Sequence, residues 1–512
     1  MRVRFSPLAL AALLGLMGCV RAEPPNVLFL LADDQTYTAL GAAGNADIRT
    51  PNLDRLAQRG TTFSHAYNMG SWTGAVCLAS RAMLNCGRSL WRAERFRHQW
   101  GSDSTAAARS WPRRMAARGY RTYFSGKWHV DLAPEAAFDV VGTVRGGMPG
   151  DAFDFPAMAA KFADLGGGAP PPATDTAFWP VGYARPYDRG DRRWSPTDTS
   201  RAGYWAGGRH WSEVVADEGV RFLAEAAERD EPSFFYLAFN APHDPRQAPA
   251  EYQSLYATAE LPLPAAYRET YPDAELTAQG PGVRDEALAP FPRTPHAVRT
   301  HTREYYALIS HLDAQIGRIL DALDERGLAD NTYVIFTADH GLALGRHGLL
   351  GKQNLYDHSL RAPFLVAGPG IPAGRTIGAD VYVQDAMATA LELAGAPADP
   401  EVEFRSVLPL IHGERPANYP AIYGAYREHQ RAIRKDGHKL LVYPRADRVK
   451  LFDLTADPDE LHDLAADGGG DHRALVRRLA TDLQQLQQQL GDTLDLQPTL
   501  RPYLAGAAAT DQ

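Results

Sequence analysis

A cysteine and an arginine four residues apart are the first residues of this chain that could do chemistry. The segment AVCLASRAMLNCGRS contains Cys77 and Arg81, and a helix would place both side chains on one face. Free N–H groups and the dipole at a helix N-terminus favour anions. A guanidinium adds a planar donor for sulfate or phosphate oxygens. The spacing predicts an anion site at Cys77, and a plain helix start with a solvated arginine is the alternative.

Cys86, in the same segment, is not expected to form a disulfide with Cys77. In a helix the two α-carbons would lie about 13 Å apart, whereas a disulfide needs roughly 4.4–6.8 Å. We expect Cys86 to be a small core residue. Cys77 therefore needs an explanation other than a disulfide.

Two pairs of adjacent polar residues could bind a metal ion. Asp33 and Asp34 follow the apolar run NVLFLLA, and Asp339 and His340 follow the run TYVIFTA. Either pair alone could be a turn or a helix cap. If both runs are parallel strands, their carboxyl ends share one edge of a sheet and the pairs converge. Converging carboxylates predict a site for one divalent cation.

Basic side chains follow the other apolar runs. Lys127 and His129 come after YRTYFSG, and their spacing places both on one side of an extended segment, with Trp128 on the other. His243 lies in APHDP after SFFYLAFN, and Lys352 follows HGLLG. Taken singly, each is better explained as a solvated lysine or a structural histidine than as a functional residue. Together they are expected to face the same cleft.

The apolar runs alternate with helical patterns, which predicts an α/β fold with a large, mostly parallel central sheet. The predicted strands are 26–32, 120–126, 233–240 and 332–338, and the predicted helices are 50–60, 110–119, 211–229 and 302–327. Two Pro/Gly-rich stretches, about 140–210 and 242–300, are predicted to be long loops. The first contains the aromatic residues Trp179, Tyr183, Tyr187, Trp194, Tyr204 and Trp205.

The pattern changes after about residue 400, where short strand-like runs are separated by turn residues and followed by an amphipathic helix at about 472–490. This predicts a small α+β C-terminal domain with a short antiparallel sheet. We therefore divide the chain into a catalytic domain at 23–405, a C-terminal subdomain at 406–500 and a tail at 501–512.

The N-terminal residues 1–22 are predicted to be a signal peptide. MRVR supplies positive charge, and the apolar run from Leu8 to Val20 is shorter than the ~20 residues that span a bilayer. LMGC resembles a bacterial lipobox ending at Cys19, which would be lipidated and would attach the protein to a membrane; cleavage after Ala22 is the alternative. We expect an exported bacterial protein, periplasmic or anchored in the outer membrane. A net charge of −8 argues against a nucleic-acid partner.

Several motifs together resemble the formylglycine-dependent (type I) sulfatases. CLASR is similar to their C-x-P-S-R or C-x-A-S-R signature, and LLADDQ, GKWH, APHDP, FTADHG and LLGKQNLYDH are similar to the remaining motifs, in family order. LRAPFLVAGPGI and LFDLTADPDE extend the resemblance over about 25–460. It implies an alkaline-phosphatase-like α/β sandwich, one Ca²⁺, and conversion of Cys77 to formylglycine (3-oxoalanine) by a maturation enzyme.

The resemblance also implies a mechanism. The aldehyde at residue 77 hydrates, one hydroxyl attacks sulfur and displaces the substrate alcohol, and the second hydroxyl drives elimination of sulfate. The hydrate would bind Ca²⁺ together with Asp33, Asp34, Asp339 and His340. Asp339 also lies where the family places the base that assists attack.

The basic residues take the remaining implied roles. Arg81 and Lys127 would clamp the diol and sulfate oxygens. His129 would accept the proton of the second hydroxyl. His243 and Lys352 would neutralise or protonate the leaving oxygen.

Two positions depart from the common family pattern. Ala79 stands where the commonest signature has proline, although some maturation systems accept alanine. His340 stands where many members have asparagine or glutamine, and imidazole is a soft ligand for calcium.

The expected function is removal of sulfate from a sulfated carbohydrate, suggested by export and by the aromatic loop; choline sulfate or an aryl sulfate remains open. A phosphodiester or phosphonate monoester hydrolase with the same nucleophile is the nearest alternative. A two-zinc phosphatase would need more metal-spaced ligands. A catalytically silent glycan-binding lipoprotein is an alternative of a different class, and it would not need the acid, base and cation set.

Overall fold

A computed structural model gives the architecture of the chain. It describes residues 23–147, 164, 195–197, 199, 203–256 and 261–504, apart from positions 102, 273, 275, 281, 282 and 468. The predicted signal peptide with Cys19, the residues Trp179, Tyr183, Tyr187 and Trp194, and the end of the predicted tail lie outside the described residues. No helix within the described ranges is both long and apolar enough to cross a membrane.

Strands and helices alternate through the first part of the chain. The strands are β1 (Asn26–Ala32), β2 (Gly60–Tyr67), β3 (Gly70–Ser71), β4 (Arg121–Lys127), β5 (Val140–Arg145), β6 (Trp205–Ala206), β7 (Arg209–His210), β8 (Ser233–Ala238), β9 (Thr332–Ala338), β10 (Arg361–Ala362), β11 (Phe364–Ala367), β12 (Arg375–Tyr382), β13 (Ile422–Tyr426), β14 (Gln430–Lys435), β15 (His438–Tyr443) and β16 (Arg448–Asp453). The helices longer than a single turn of 3₁₀ are α1 (Pro51–Arg59), α2 (Val76–Cys86), α3 (Leu90–Arg97), α4 (Ser104–Ala107), α5 (Trp111–Ala116), α6 (Pro134–Ala137), α7 (Trp211–Ala226), α8 (Ala250–Ser254), α9 (Pro295–Glu325), α10 (Asp357–Leu360), α11 (Asp385–Leu393), α12 (Leu408–Ile411), α13 (Gly470–Leu490) and α14 (Gln497–Leu504).

The predicted large, mostly parallel sheet is confirmed. Among the described residues it has nine strands in the order β10-β2-β11-β9-β1-β8-β4-β5, with β12 added beside β2. The four strands predicted from apolar runs are adjacent to one another at its centre, as β9, β1, β8 and β4, and all of them are parallel. Their carboxyl ends therefore lie at one edge, which is where an α/β sheet places its ligand site.

Both faces of the sheet are covered by helices, and the aromatic packing shows how. Tyr236 of β8 packs with Trp111 of α5 on one face. The preceding residue, Phe235, points to the other face, where it stacks on Tyr123, a neighbour of Phe222 in α7. Burial on both sides is why these strands have continuous apolar sequences rather than alternating ones.

In the part of the chain that the structure describes, the second sheet has five strands in the order β16-β15-β14-β13-β3. The four C-terminal strands pair antiparallel, as predicted, and α13 packs against β14 and β15. The fifth, β3, was not predicted. It comes from the N-terminal part of the chain and pairs parallel with β13 through Gly70 and Ser71. The C-terminal sheet is therefore bonded directly to the segment that leads into α2.

One predicted loop begins as a strand. The stretch from about 140 was expected to be irregular, but Val140–Arg145 forms β5 and pairs parallel with the edge of β4. Its residues are only partly buried, so its sequence has no continuous apolar run to reveal it.

Candidate functional site

The carboxyl edge of the central strands brings the predicted site residues together. Asp33 and Asp34 follow β1, and Asp339 and His340 follow β9. Lys127 is the last residue of β4. His243 lies in the loop after β8, and Lys352 lies in the loop between β9 and α10. All of these side chains are buried, together with those of Cys77 and Arg81 in α2.

Cys77 is the second residue of α2 and its thiol lies between two basic groups. Its Sγ is 3.5 Å from Lys127 Nζ and 3.5 Å from His129 Nδ1. Burial raises the pKa of this thiol, but Lys127, Lys352 and His129 outweigh burial and hold the pKa well below its ordinary value. The site therefore favours a negative charge at the side chain of residue 77. Cys77 and Cys86 are both free, as expected.

His129 reaches Cys77 by a route that differs from the expected one. The strand ends at Lys127, and His129 has a left-handed backbone with φ 52° rather than an extended one. Trp128 is buried, as predicted, against Phe124 and Phe138. The strained backbone of His129 turns its ring back toward Cys77.

Arg81 ties three chain segments together. Its Nε donates to Asp339 Oδ2 at 2.9 Å, and its Nη1 donates to the carbonyl oxygen of Lys127 at 2.6 Å. Its Nη2 lies 3.7 Å from Asp33 Oδ1. Burial lowers the pKa of Arg81, but Asp339 and Asp33 outweigh burial and raise it. This fully buried guanidinium is fixed in position by two hydrogen bonds and one ion pair.

The remaining carboxylates are each paired with a lysine. Asp33 accepts from Lys127 Nζ, and Asp34 accepts from Lys352 Nζ at 2.8 and 2.9 Å. Asp34 has a left-handed backbone, φ 70°, and its N–H donates to Asp339 Oδ1 at 3.1 Å. Burial lowers the pKa of Lys352, but Asp34 and Asp285 reverse this and raise the pKa well above its ordinary value. Three carboxylates and three cations therefore share one buried space.

The donor set fits a divalent cation. Ligand atoms of Asp33, Cys77, Asp339 and His340 lie within 4.8 Å of one another, and so do those of a second group that joins Asp33 and Asp34 with His243. Asp33 Oδ1 and His340 Nε2 are buried and have no hydrogen-bond partner among the described residues. Orphaned polar atoms in such a place are costly unless an ion or water satisfies them.

His340 is the least usual of these ligands. Its Nε2 lies 3.2 Å from Asp34 Oδ1 and 3.6 Å from Asp339 Oδ1. Burial lowers the pKa of His340, but the two carboxylates outweigh burial and raise it to about 9. Without a cation, His340 therefore carries the positive charge that a metal ion would supply.

Three charged residues behind the site were missed by sequence reasoning. Asp244 follows His243, while Arg284 and Asp285 come from the second Pro/Gly-rich stretch. Arg284 pairs with both carboxylates, and Asp285 Oδ2 lies 3.9 Å from Lys352 Nζ. Burial raises the pKa of Asp244, but Arg284 and His243 reverse this and hold it well below its ordinary value. Such residues lie in irregular loops, where no periodicity marks them.

Two family descriptions match the chain. The family described as Sulfatase matches residues 25–396. The description N-sulphoglucosamine sulphohydrolase, C-terminal, matches residues 345–489.

Curated relatives share about a quarter of the sequence. The chain is 23% identical to an N-acetylglucosamine-6-O-sulfatase of Bacteroides thetaiotaomicron over 94% of this chain and 90% of the relative. It is 28% identical to a choline-sulfatase of Rhizobium meliloti over 87% of this chain and 83% of the relative.

Solved structures share the fold. A protein determined with its substrate D-glucosamine-2-N,6-O-disulfate superposes with a TM-score of 0.65 at 20% identity, covering 92% of this chain and 99% of the other. A phosphonate monoester hydrolase from Silicibacter pomeroyi superposes with a TM-score of 0.68 at 22% identity, covering 92% and 96%. These likenesses confirm the expected alkaline-phosphatase-like architecture. Since the family match extends over most of the chain, the protein belongs to the sulfatase family and is a sulfuric ester hydrolase.

Proposed function

We propose that this chain removes sulfate from a sulfated carbohydrate, using a formylglycine made from Cys77 and one bound Ca²⁺. One observation carries the proposal: the Sγ of Cys77 lies within 4.8 Å of ligand atoms of Asp33, Asp339 and His340, while Lys127 and His129 contact the same sulfur. A nucleophile at this position would share its environment with both an anion clamp and a cation site.

The metal would be held by Asp33, Asp34, Asp339 and His340 with the side chain of residue 77. When bound, it would withdraw electron density from the sulfate oxygens and stabilise a negatively charged nucleophile. The formylglycine would supply the nucleophile as a hydroxyl of its hydrate. The aldehyde would be regenerated at the end of each turnover.

The side chains around residue 77 would bind the charged groups and transfer the protons. Arg81 and Lys127 hold the nucleophile and the sulfate oxygens. His129, whose Nδ1 lies 3.5 Å from the sulfur, would accept a proton from residue 77. His243 Nε2 lies 3.8 Å and Lys352 Nζ 2.8 Å from Asp34 Oδ2, and both would meet the oxygen of the departing alcohol.

A carbohydrate substrate is supported by the relatives rather than by a bound ligand. One relative is named an N-acetylglucosamine-6-O-sulfatase, and one protein of the same fold holds a glucosamine disulfate. Another relative is named a choline-sulfatase, so choline sulfate, a small quaternary ammonium ester, is the competing substrate. The substrate screen therefore includes choline sulfate.

Two further proposals concern the maturation of the protein and its location in the cell. Conversion of Cys77 requires a formylglycine-generating enzyme that recognises CLASR with Ala79 in place of proline. The N-terminal sequence suggests export to the periplasm, or attachment to the outer membrane through a lipid on Cys19.

The test is a substrate screen with protein whose conversion at residue 77 has been verified. Sulfate release is measured from sulfated mono- and oligosaccharides, choline sulfate and 4-nitrophenyl sulfate, before and after removal of metal with a chelator. We expect the highest kcat/KM on a saccharide, loss of activity on chelation and recovery with Ca²⁺. A higher kcat/KM on choline sulfate would contradict the substrate class, and full activity without metal would contradict the cofactor.

A phosphonate monoester hydrolase is the second candidate. Its support is the likeness to the enzyme from Silicibacter pomeroyi, whose TM-score of 0.68 exceeds that of the glucosamine disulfate complex. Sulfate and phosphonate monoesters have similar tetrahedral shapes. Kinetics with 4-nitrophenyl phenylphosphonate beside 4-nitrophenyl sulfate decides between them, and a clear preference for the phosphonate would replace the first proposal.

A further inference from the structure

Three buried charged residues, Asp244, Arg284 and Asp285, form a cluster directly behind His243 and Lys352. We name it the support cluster. The function proposed above gives none of its members a role. The cluster nevertheless contacts both of the residues that are expected to meet the leaving oxygen.

The support cluster fixes one nitrogen of His243. The Nδ1 of His243 lies 2.8 Å from the carbonyl oxygen of Asp244 and 3.3 Å from its Oδ1. Both neighbours are acceptors, so Nδ1 carries a proton there, and when the ring is an imidazolium Nε2 carries the second proton, which would pass to the leaving oxygen. The opposite nitrogen, Nε2, points toward the site and lies 3.8 Å from Asp34 Oδ2.

Arg284 fixes Asp244 in turn. Its Nη1 donates to Asp244 Oδ1 at 2.9 Å, and its Nη2 donates to Asp244 Oδ2. The hydroxyl of Tyr204 donates to the carbonyl oxygen of Asp244 at 3.0 Å. Both the side chain and the backbone of Asp244 are therefore held, and a two-pronged guanidinium contact restricts orientation more than a single bond would.

The same guanidinium joins the loops that carry the two leaving-group residues. Arg284 Nη1 also donates to Asp285 Oδ1 at 2.5 Å. The other oxygen of Asp285 accepts from Gln353 Nε2 at 2.7 Å and lies 3.9 Å from Lys352 Nζ. One arginine thus links the loop of His243 to the loop of Lys352.

We propose that Asp244 and Arg284 are positioning residues that orient the His243 ring so that Nε2 meets the oxygen of the departing alcohol. The inference rests on the function proposed above, since it assigns His243 to the leaving oxygen. An aspartate that holds one nitrogen of a catalytic histidine, and so directs the other, is an established arrangement in hydrolases.

The test compares a good and a poor leaving group. 4-Nitrophenolate leaves as a stable anion and needs little proton donation, whereas a sugar alkoxide needs it. In Asp244→Asn we expect kcat/KM on the best saccharide sulfate to fall about 10-fold or more beyond the fall on 4-nitrophenyl sulfate. In Arg284→Lys, kcat/KM should likewise fall more on the saccharide sulfate than on 4-nitrophenyl sulfate. The double variant should be no worse than the more damaged single variant, because the pair acts as one unit.

Asp313→Asn is the matched control. Asp313 is also a buried carboxylate, but it accepts from the N–H groups of Asn52 and Leu53 at the start of α1, away from the site. The Asp313→Asn variant should be less thermally stable than the wild type, and its kcat/KM should change by the same factor on both substrates.

The outcomes distinguish failure of the positioning role from failure of the proposed function. Equal losses on both substrates in Asp244→Asn, or no loss, would overturn the positioning role and leave the sulfatase activity intact. If the wild-type protein instead prefers phosphonate esters, the proposed function fails, and the same comparison with aryl and alkyl phosphonate esters decides the positioning role. A verified formylglycine protein that cleaves none of these esters would overturn both.

Discussion

Arg81 donates through Nε to Asp339 Oδ2 at 2.9 Å, although the two residues lie 258 positions apart in the chain. Arg81 belongs to α2, which carries Cys77, and Asp339 follows β9. This contact therefore holds the helix of Cys77 against the edge of the sheet where the carboxylates meet. It is a structural bond at the place where we propose that the sulfate binds.

Arg81→Lys should be strongly impaired, because an ammonium cannot make both hydrogen bonds and the ion pair that the guanidinium makes in fixed directions. We expect kcat/KM on 4-nitrophenyl sulfate to fall about 100-fold or more. Steady-state kinetics of the verified formylglycine protein provide the measurement. Arg55→Lys is the control, because Arg55 forms a surface ion pair with Asp321, and such pairs contribute little. Equal activity of the two variants would contradict the assigned role of Arg81.

Binding of Ca²⁺ to the metal-free protein should release a proton. Near neutral pH the metal-free His340, with a pKa of about 9, is protonated, and a cation must displace that proton to use the nitrogen. The apparent affinity for Ca²⁺ should therefore rise as the pH increases toward about 9.

Titration calorimetry in two buffers of different ionisation enthalpy measures this proton. The observed enthalpy should differ between the buffers for the wild type and much less for His340→Asn, which keeps an oxygen ligand but does not titrate. An enthalpy that is independent of buffer would show that His340 is not a ligand of the ion.

Gly70→Ala should destabilise the protein through the junction of its two sheets. Gly70 has φ 101°, and a Cβ there would lie 1.9 Å from the carbonyl oxygen of Ala425 in β13. Gly44→Ala is the matched control: its φ is 91°, but no described residue other than its chain neighbours has an atom within 4 Å of the added Cβ. The control should lose about 1–2 kcal/mol of unfolding free energy from backbone strain alone.

The loss in Gly70→Ala should be clearly larger, because the strand β3 must move away from β13. Urea denaturation followed by circular dichroism gives both values. Similar losses in the two variants would mean that the contact between β3 and β13 relaxes at little cost.

The central strands were predictable because each is covered on both faces. β1 and β9 follow the apolar runs 26–32 and 332–338 to the residue, and their polar successors were predicted to converge. Strands with less regular burial gave no such signal: β5 is only partly buried, and β3 has two residues. The pairing of β3 with β13 depends on tertiary contact and has no trace in the local sequence.

The site divides in the same way. Cys77 and Arg81 could be placed on one face because helix geometry fixes the i to i+4 relationship. Asp244, Arg284 and Asp285 could not, because their partners lie in other loops and their own segments have no period. His129 was expected on an extended segment, and its left-handed backbone depends on contacts that no residue spacing encodes.

The central claim is that Cys77 is converted to formylglycine. Its most direct test is the mass of the tryptic peptide 60–81, prepared from the active fraction of protein purified from the native host. We expect residue 77 to be an aldehyde or its hydrate rather than a thiol, despite Ala79 in the signature. An intact thiol in protein that hydrolyses sulfate esters at full rate would contradict the claim.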